Sequence, residues 1–434
     1  MSVTPVKQRP SALVVGSGVS GLTAAYLLRR THQVTLLEAQ DRLGGHAHTH
    51  RLTGAHGVAH DVDSGFIVHN DRTYPLLRRL FGELDVRVRP TEMSMSISCG
   101  GCGLEYAGGR GVGGLLAQRR RAVDPRFLRL LVSIKRFQRA AGRFLASAEE
   151  HDLTTLGGFL AAEGFDDHFV HHYAVPVVSC VWSSGHASAL DYPAAYLFRF
   201  LEHHGFLSVS GSPQWYTVLG GSQAYVQALR AALEDDGATV LTGRAATEVA
   251  RKPDGVEIVD STGALHVADA VVLAAHADES LAVLTDPTDA ETRVLGAFTY
   301  ARNETVLHTD ASVLPIAKAA RSAWNYTTDS CDSAAGSAVV SYWMNRLQGL
   351  SDGTTDEQYV VTLNATRSLD PTRMLATMDY SHPLYTAGSV SAHRELAGLN
   401  TEVTAYAGAY HGWGFHEDGC RSGVAAARSL GDDW

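Results

Sequence analysis

The chain has 434 residues, a formal net charge of −10 at pH 7 and five cysteines. That length suffices for two or three domains and an enclosed ligand site, and the acidic balance argues against general nucleic-acid binding. No apolar run reaches the roughly 18 residues of a membrane-spanning helix, and the first apolar stretch does not have the form of a signal peptide, so a cytoplasmic protein with reduced thiols is expected.

Ala12 to Val15 is an apolar run that reads as a buried strand, and Gly16-Ser17-Gly18-Val19-Ser20-Gly21 follows at once. The Ala- and Leu-rich segment Leu22 to Leu28 continues as a helix. Gly16 permits a tight turn, Gly18 lets the backbone approach a pyrophosphate, and Gly21 lets the helix pack on the sheet. Unpaired amides at the helix start, Val19 and Ser20, face the phosphate charge. A second apolar strand, Gln33 to Leu37, ends in Glu38 and Ala39, about 20 residues past the first glycine, where an acid accepts from a ribose hydroxyl. Strand, glycines, helix, strand and acid in that order predict a dinucleotide site. Gly109 to Gly114 matches the same spacing, but its approach is a poor strand and no strand ending in an acid follows it. It reads as a flexible loop.

Next comes Asp41-Arg42-Leu43-Gly44-Gly45-His46. Paired glycines beside an arginine let backbone lie flat on a ligand while a guanidinium reaches its phosphates. With Arg42, Gly44 and Gly45 the sequence resembles the flavin-containing amine-oxidase-like superfamily, whose turn at this point runs along a flavin. The resemblance implies non-covalent FAD as cofactor, since the superfamily's attachment cysteine has no counterpart in the C-terminal loop. It also implies a Rossmann-like FAD-binding domain of glutathione-reductase-2 or amine-oxidase type, α/β in class, with a discontinuous α+β substrate domain. The expected division is 1–75, 215–285 and 396–434 for FAD, and 76–214 and 286–395 for substrate. His46, His48 and His50 alternate, but three histidines without carboxylates are a weak metal set, and a loop bordering the cofactor is expected. Asp61 to Val68, with Gly65 at its break, resembles the superfamily's Asp-x-Gly return to the flavin, and His69 follows it.

Cys99-Gly100-Gly101-Cys102 is half a zinc site, a redox pair or a hairpin tip. Met93, Met95 and Ile97 alternate with serines into the glycine turn, and no second cysteine pair completes a tetrahedral set. A hairpin tip carrying two thiols, with no metal, is the expectation. From Arg119 to Leu145, apolar residues Phe127, Leu130, Leu131, Ile134, Phe137, Ala141 and Phe144 recur at helical spacing among nine basic residues and one acid. This stretch is either a core helix with arginines in water or one that lies on an anionic membrane surface. Tyr173 to Ser184 and Tyr196 to Leu201 are aromatic runs that line an apolar tunnel or fill a core.

Gly220-Gly221-Ser222 and the helix after it resemble the superfamily's return to the cofactor domain. There the backbone of Val249 is expected to meet the adenine, and Ala274 closes a buried strand. The superfamily's amine oxidases carry a lysine near Glu304. This chain has only Lys7, Lys135, Lys252 and Lys318, which argues against amine oxidation. At the C-terminus, Tyr406 to Gly408, an aromatic loop, and Gly419, Ser422 and Gly423 resemble the flavin motif whose helix N-terminus faces the ring. Tyr410 and Trp413 then shape the face in front of it, and His411, His69 or His308 takes a proton.

Four motifs together are similar to a narrower group, the bacterial predicted NAD/FAD-binding proteins: Arg42 to His46, Asp63 to Val68, Tyr342 to Leu350 and Tyr410 to Gly419. The resemblance implies an FAD-dependent oxidoreductase that removes hydride from a C–H bond of an apolar, fatty-acyl substrate. It also implies a fatty-acyl methyltransferase in the same pathway, while the basic amphipathic character of 119–145 makes peripheral contact with the inner membrane face the alternative to a core helix there. Amine oxidase and FAD-dependent double-bond isomerase are the alternatives.

Overall fold

The computed structural model describes residues 9–54, 57–149, 152–182, 186–207, 212–332, 338–350, 357–364, 369–432 and 434. Lys7, Ser183 and Ser184 therefore lie outside the described residues. The nucleotide part is a five-stranded parallel sheet in the order Thr239–Leu241, Gln33–Leu37, Ser11–Val15, Ala270–Leu273, Thr404–Tyr406. Parallel strands covered on both faces read as continuous apolar runs, which is how Ala12 to Val15 appears in the sequence. Ala12, Val14, Val34, Leu36 and Val272 face a layer of helices, Val19–Leu28, Gln223–Asp235 and His416–Ser429. Leu13, Val15, Val271 and Leu273 face Val249, Val256 and Ile258 of the antiparallel sheet Ala246–Lys252, Gly255–Asp260, Leu265–Ala268.

The second large element is a seven-stranded sheet. Its order is Met374–Leu384, Thr299–His308, Val360–Leu363, Ala338–Trp343, Trp324–Thr328, Met95–Cys99, Leu104–Gly108. Every pairing is antiparallel except Trp324–Thr328 with Met95–Cys99. That one parallel contact joins two stretches of chain more than two hundred residues apart. The helices Pro125–Ser147, Leu156–Ala162, Val175–Trp182 and Ala194–His203 share one aromatic core with it.

Two sequence expectations are corrected here. The approach to the second glycine pattern, Leu104–Gly108, is a buried edge strand, and Gly111–Leu115 is a short helix rather than a loop. Its strand is antiparallel, so no βαβ unit forms there. The basic stretch is also not one helix. Arg119–Val123 is a 3₁₀ turn, and Asp124 caps the helix Pro125–Ser147 by accepting from the Arg126 amide. Phe127, Leu130, Phe137 and Ala141 are buried against Phe159, Phe169 and Phe198, as a core helix requires. Among the described residues no helix is long and apolar enough to cross a membrane.

Candidate active site

The turn after Ser11–Val15 is built for close approach. Gly16 has a φ of +97°, where a side chain is strained. A Cβ on Gly21 would stand 1.9 Å from the Gly16 carbonyl oxygen, so helix and turn touch through this glycine. A Cβ on Gly18 would meet nothing within 4 Å. That open cradle sits at the start of Val19–Leu28, where no side chain caps the first amides and a phosphate can take their hydrogen bonds. Glu38 is buried and holds the turn: its Oε2 accepts from Ser17 N at 2.9 Å and Ser17 Oγ at 2.5 Å, and its Oε1 from Gln40 N at 2.7 Å. Ala39 beside it is exposed, and Ala274 packs its backbone on Gly16.

The arginine–glycine turn lies on this loop. Gly44 N donates to Ser17 O at 3.0 Å, and a Cβ on Gly45 would stand 3.2 Å from Gly18 Cα. Arg42 reaches the Ala47 carbonyl, and burial lowers its pKa. A Cβ on Gly65 would strike the His46 carbonyl at 2.1 Å, which is why the Asp-x-Gly segment needs glycine there. Asp63 ties the turn at Ser222 down through Thr49 Oγ1, Ser222 N, Ser222 Oγ and Gln348 Nε2, all donating to its carboxylate. Burial raises the Asp63 pKa to about 6 against those hydrogen bonds.

Histidines gather beside the turn. The His46 ring lies 4.8 Å from Tyr380 and 5.4 Å from His382. Burial, then His382, His276, His416 and Arg42, hold His46 well below the ordinary histidine range. His382 is pushed down to about 4, also chiefly by burial, and its Nδ1 accepts from Asn303 Nδ2 at 2.9 Å. His48 lies in the loop, as expected, while His50 is on the strand Thr49–Thr53, and they hydrogen-bond to Tyr380 Oη and Ser64 Oγ respectively.

The C-terminal aromatic loop is anchored by one carboxylate. Asp418 Oδ2 accepts from Trp413 N at 2.9 Å and Phe415 N at 3.1 Å, while Oδ1 accepts from Arg421 at 2.7 Å. Ser422 Oγ accepts from Gly408 N at 2.9 Å and donates to Gly419 O, joining strand end to helix. Across the loop, Trp182 Nε1 donates to Trp413 O and Tyr196 Oη donates to Gly412 O. Trp182, Tyr196, Phe200, Tyr385, Trp413 and Phe415 form a continuous aromatic cluster. The runs around Trp182 and Tyr196 therefore meet the loop.

The other expected residues are held as follows. Tyr410 is buried against Phe298 in the core, and a Cβ on Gly408 would strike its ring. Cβ atoms on Gly419 and Gly423 would meet Val19 Cγ1 at 2.6 Å and Ser20 O at 2.3 Å, so these glycines pack two helices together. The Val249 carbonyl accepts from Thr285. His308 has both nitrogens engaged in the seven-stranded sheet, with Thr362 Oγ1 and Asp310 N, away from the loop. His69 is buried beside Tyr216 and Phe81, its pKa lowered to about 4 by burial. His411 is lowered to about 3, chiefly by burial, and is neutral at pH 7. The sequence reading missed Asp418, Asn303, His276, Tyr380, His382 and His416. Of these, only Asp418, two residues after a histidine at a helix start, carried a local signal.

A family model described as flavin containing amine oxidoreductase matches residues 19–430. The chain belongs to that family. It is an FAD-dependent oxidoreductase, and the expected cofactor is that of the family. The fold is similar to that of cyclohexylamine oxidase from Brevibacterium oxydans IH-35A, at 15% identity, TM-score 0.69 and coverage of 97% of this chain and 98% of that one. It is also similar to a fatty acid isomerase from P. acnes, at 16% identity, TM-score 0.66 and coverage of 98% and 99%. An L-amino acid oxidase of Cerastes cerastes is 55% identical over 40 residues, which is 9% of this chain and 8% of that oxidase. The residues present fit a flavin dinucleotide. Gly18 leaves a cradle open, the helix after it is uncapped, and His46 Nε2, His411 Nε2 and Trp413 Nε1 are buried without a hydrogen-bond partner among the described residues.

Proposed function

We propose that this flavin oxidoreductase removes a hydride from a C–H bond of an apolar, fatty-acyl substrate. The observation that supports the reading is the aromatic cluster beside the C-terminal loop, with neutral histidines and no buried lysine among the described residues. Lys135, Lys252 and Lys318 are all exposed. A protonatable amine would meet Trp413, Phe415, Tyr385 and Tyr196, while the carboxylates described in this loop are already engaged, Asp418 by two amides and Arg421, and Glu417 by the Leu76 and Leu77 amides. An alkyl chain asks only for apolar contact and exclusion of water. FAD, held non-covalently, supplies the two-electron acceptor.

Gly16 to Gly21, Glu38, Ala39, Arg42, Gly44, Gly45 and His46 hold the dinucleotide in this proposal, and Gly65, Ala274, Gly408 and Ser422 shape its surroundings. Arg42 balances its negative charge. Trp413 and its aromatic neighbours orient the chain and keep water out. Neutral His411, with Nε2 free of any partner named above, is the acceptor for the proton that accompanies hydride loss. The similarity to a fatty acid isomerase supports an apolar substrate and keeps double-bond isomerisation as the second reading.

Purified protein is expected to show the visible spectrum of bound flavin and to bleach when mixed anaerobically with long-chain acyl substrates. Bleaching by primary amines and never by acyl chains would defeat the proposal. A shifted double bond with the flavin still oxidised at every turnover would assign the isomerase instead.

A further inference from the structure

The glycine turn between Met95–Cys99 and Leu104–Gly108 does not carry two thiols alone. Cys331, from the loop after Trp324–Thr328, and His172, from the π-helical turn Val170–Ala174, come to the same point. One ligand atom from each of Cys99, Cys102, His172 and Cys331 lies within 4.8 Å of the others. We propose that these four side chains bind a tetrahedral zinc ion. No second cysteine pair is needed, because the other two ligands come singly, from two other elements.

The distances are those of a zinc site. Bonds of about 2.3 Å to sulfur and about 2.0–2.1 Å to nitrogen place sulfurs about 3.8 Å apart, and sulfur and nitrogen about 3.6 Å apart, in a tetrahedron. Cys99 Sγ and Cys331 Sγ are 3.7 Å apart, and Cys102 Sγ and His172 Nε2 are 3.5 Å apart. The imidazole is also set in the right tautomer. His172 Nδ1 lies 2.9 Å from the His168 carbonyl, an acceptor only, so Nδ1 carries the proton and Nε2 presents its lone pair to the sulfurs. The Tyr106 hydroxyl donates to the His172 carbonyl at 2.7 Å and holds the π turn.

The backbone is arranged for the same end. A Cβ on Gly101 would stand 2.8 Å from Cys331 N and 3.2 Å from its Sγ, so only glycine lets the loop come this close. Gly100 N donates to Thr328 O at 2.8 Å, and Gln118 Nε2 to Gly103 O at 2.9 Å. Zinc displaces the three thiol protons, and three thiolates around one divalent ion leave a negative centre. Arg121 answers it: its Nη2 donates to the Cys102 carbonyl at 2.8 Å, and the Arg120 guanidinium reaches the Gly103 side of the turn. The start of the basic stretch therefore wraps the cysteine turn. Cys99 and His172 are each 1% exposed while Cys331 is exposed, so the site is walled in but open to entry. A closed four-ligand set of this type is structural and here pins the helical layer to the sheet edge.

The test uses the full chain with flavin bound, purified under reductant and exchanged into zinc-free buffer. Elemental analysis is expected to find about one zinc per chain, as a four-ligand site holds. Exchange with cobalt should give the intense visible bands of a tetrahedral ion and a thiolate-to-metal charge-transfer band. Cys331→Ser and His172→Ala should each lose the metal, and the charge-transfer band should weaken only in the cysteine variant if any cobalt remains. Adding zinc to chelated protein should raise Tm. Zinc and cobalt both absent after stoichiometric addition, a full metal content in Cys331→Ser, or a Cys99–Cys331 disulfide in reductant-purified protein would each overturn the proposal. If a variant fails to fold, the cobalt spectrum of the native chain decides alone. None of these readouts depends on the substrate of the flavin.

Discussion

Two glycines three residues apart do opposite jobs, and the space around each says which. Gly18 has an extended backbone that alanine can adopt, and its Cβ direction is empty. Gly18→Ala is therefore expected to unfold at the wild-type urea midpoint yet bind FAD at least ~10-fold more weakly, since a methyl group displaces phosphate from the amides. Gly21→Ala puts a methyl group 1.9 Å from Gly16 O and is expected to cost about 1–3 kcal/mol of stability by overpacking. Urea titration and flavin fluorescence titration of the two variants check the pair. Loss of stability in Gly18→Ala, or none in Gly21→Ala, would show that the turn is not held as described. Both glycines were legible in the sequence, because the strand, turn and helix that need them are local. Asn303 was not: its partner His382 comes from the paired strand Met374–Leu384, far along the chain.

Among the elements, the helix Pro125–Ser147 shows what helical spacing alone can tell. Phe127, Leu130, Phe137 and Ala141 of its apolar stripe are buried in the core. Phe137 touches Phe159, Phe165, Phe169, Tyr173 and Phe198 through their rings. Arg136 donates to the Glu163 and Gly164 carbonyls, and its guanidinium lies 4.1 Å from the Phe165 ring centroid. Phe137→Ala is expected to cost about 3–5 kcal/mol in urea unfolding, the usual cost for a buried aromatic ring. A cost below about 1 kcal/mol, the range of surface substitutions, would mean that the stripe is not a core face. Helical spacing gave away the buried positions but not what they bury against. The Arg119–Val123 turn escaped the sequence reading because Asp124 breaks the helix there by capping it, and the basic run reads straight through.

At the scale of the whole molecule, burial of titratable groups makes stability pH-dependent. His48, His69, His204, His308, His382, His411 and His416 are lowered to about 3 or 4, in each case chiefly by burial. Between their folded values and the ordinary 6.5 the unfolded chain binds more protons than the folded one, so stability falls as pH drops through that window. Burial acts the other way on Asp63, raised to about 6, and Glu417, raised to about 7. There the folded chain holds the extra protons, and stability rises as pH drops. Seven groups outweigh two. The free energy of unfolding is expected to fall from pH 7 to pH 5 in urea titrations, and Glu417→Gln should steepen that fall by removing an opposing group. A rise toward pH 5 would show that the histidines are not buried neutral.

What the sequence determined by itself was local or family-wide: the nucleotide turn, the arginine–glycine turn, the helix periods and the flavin. Each rests on neighbours within a few residues or on a motif carried whole. Only the tertiary structure decided which side chains share a space. It placed Tyr410 in a core and His308 in a sheet, and set Asn303 beside His382. It also drew Cys331 and His172 to Cys99 and Cys102 across a parallel strand pairing that no spacing along the chain announces. Contacts of that kind follow from strand register and helix packing, which depend on the whole apolar pattern at once and not on any one stretch of it.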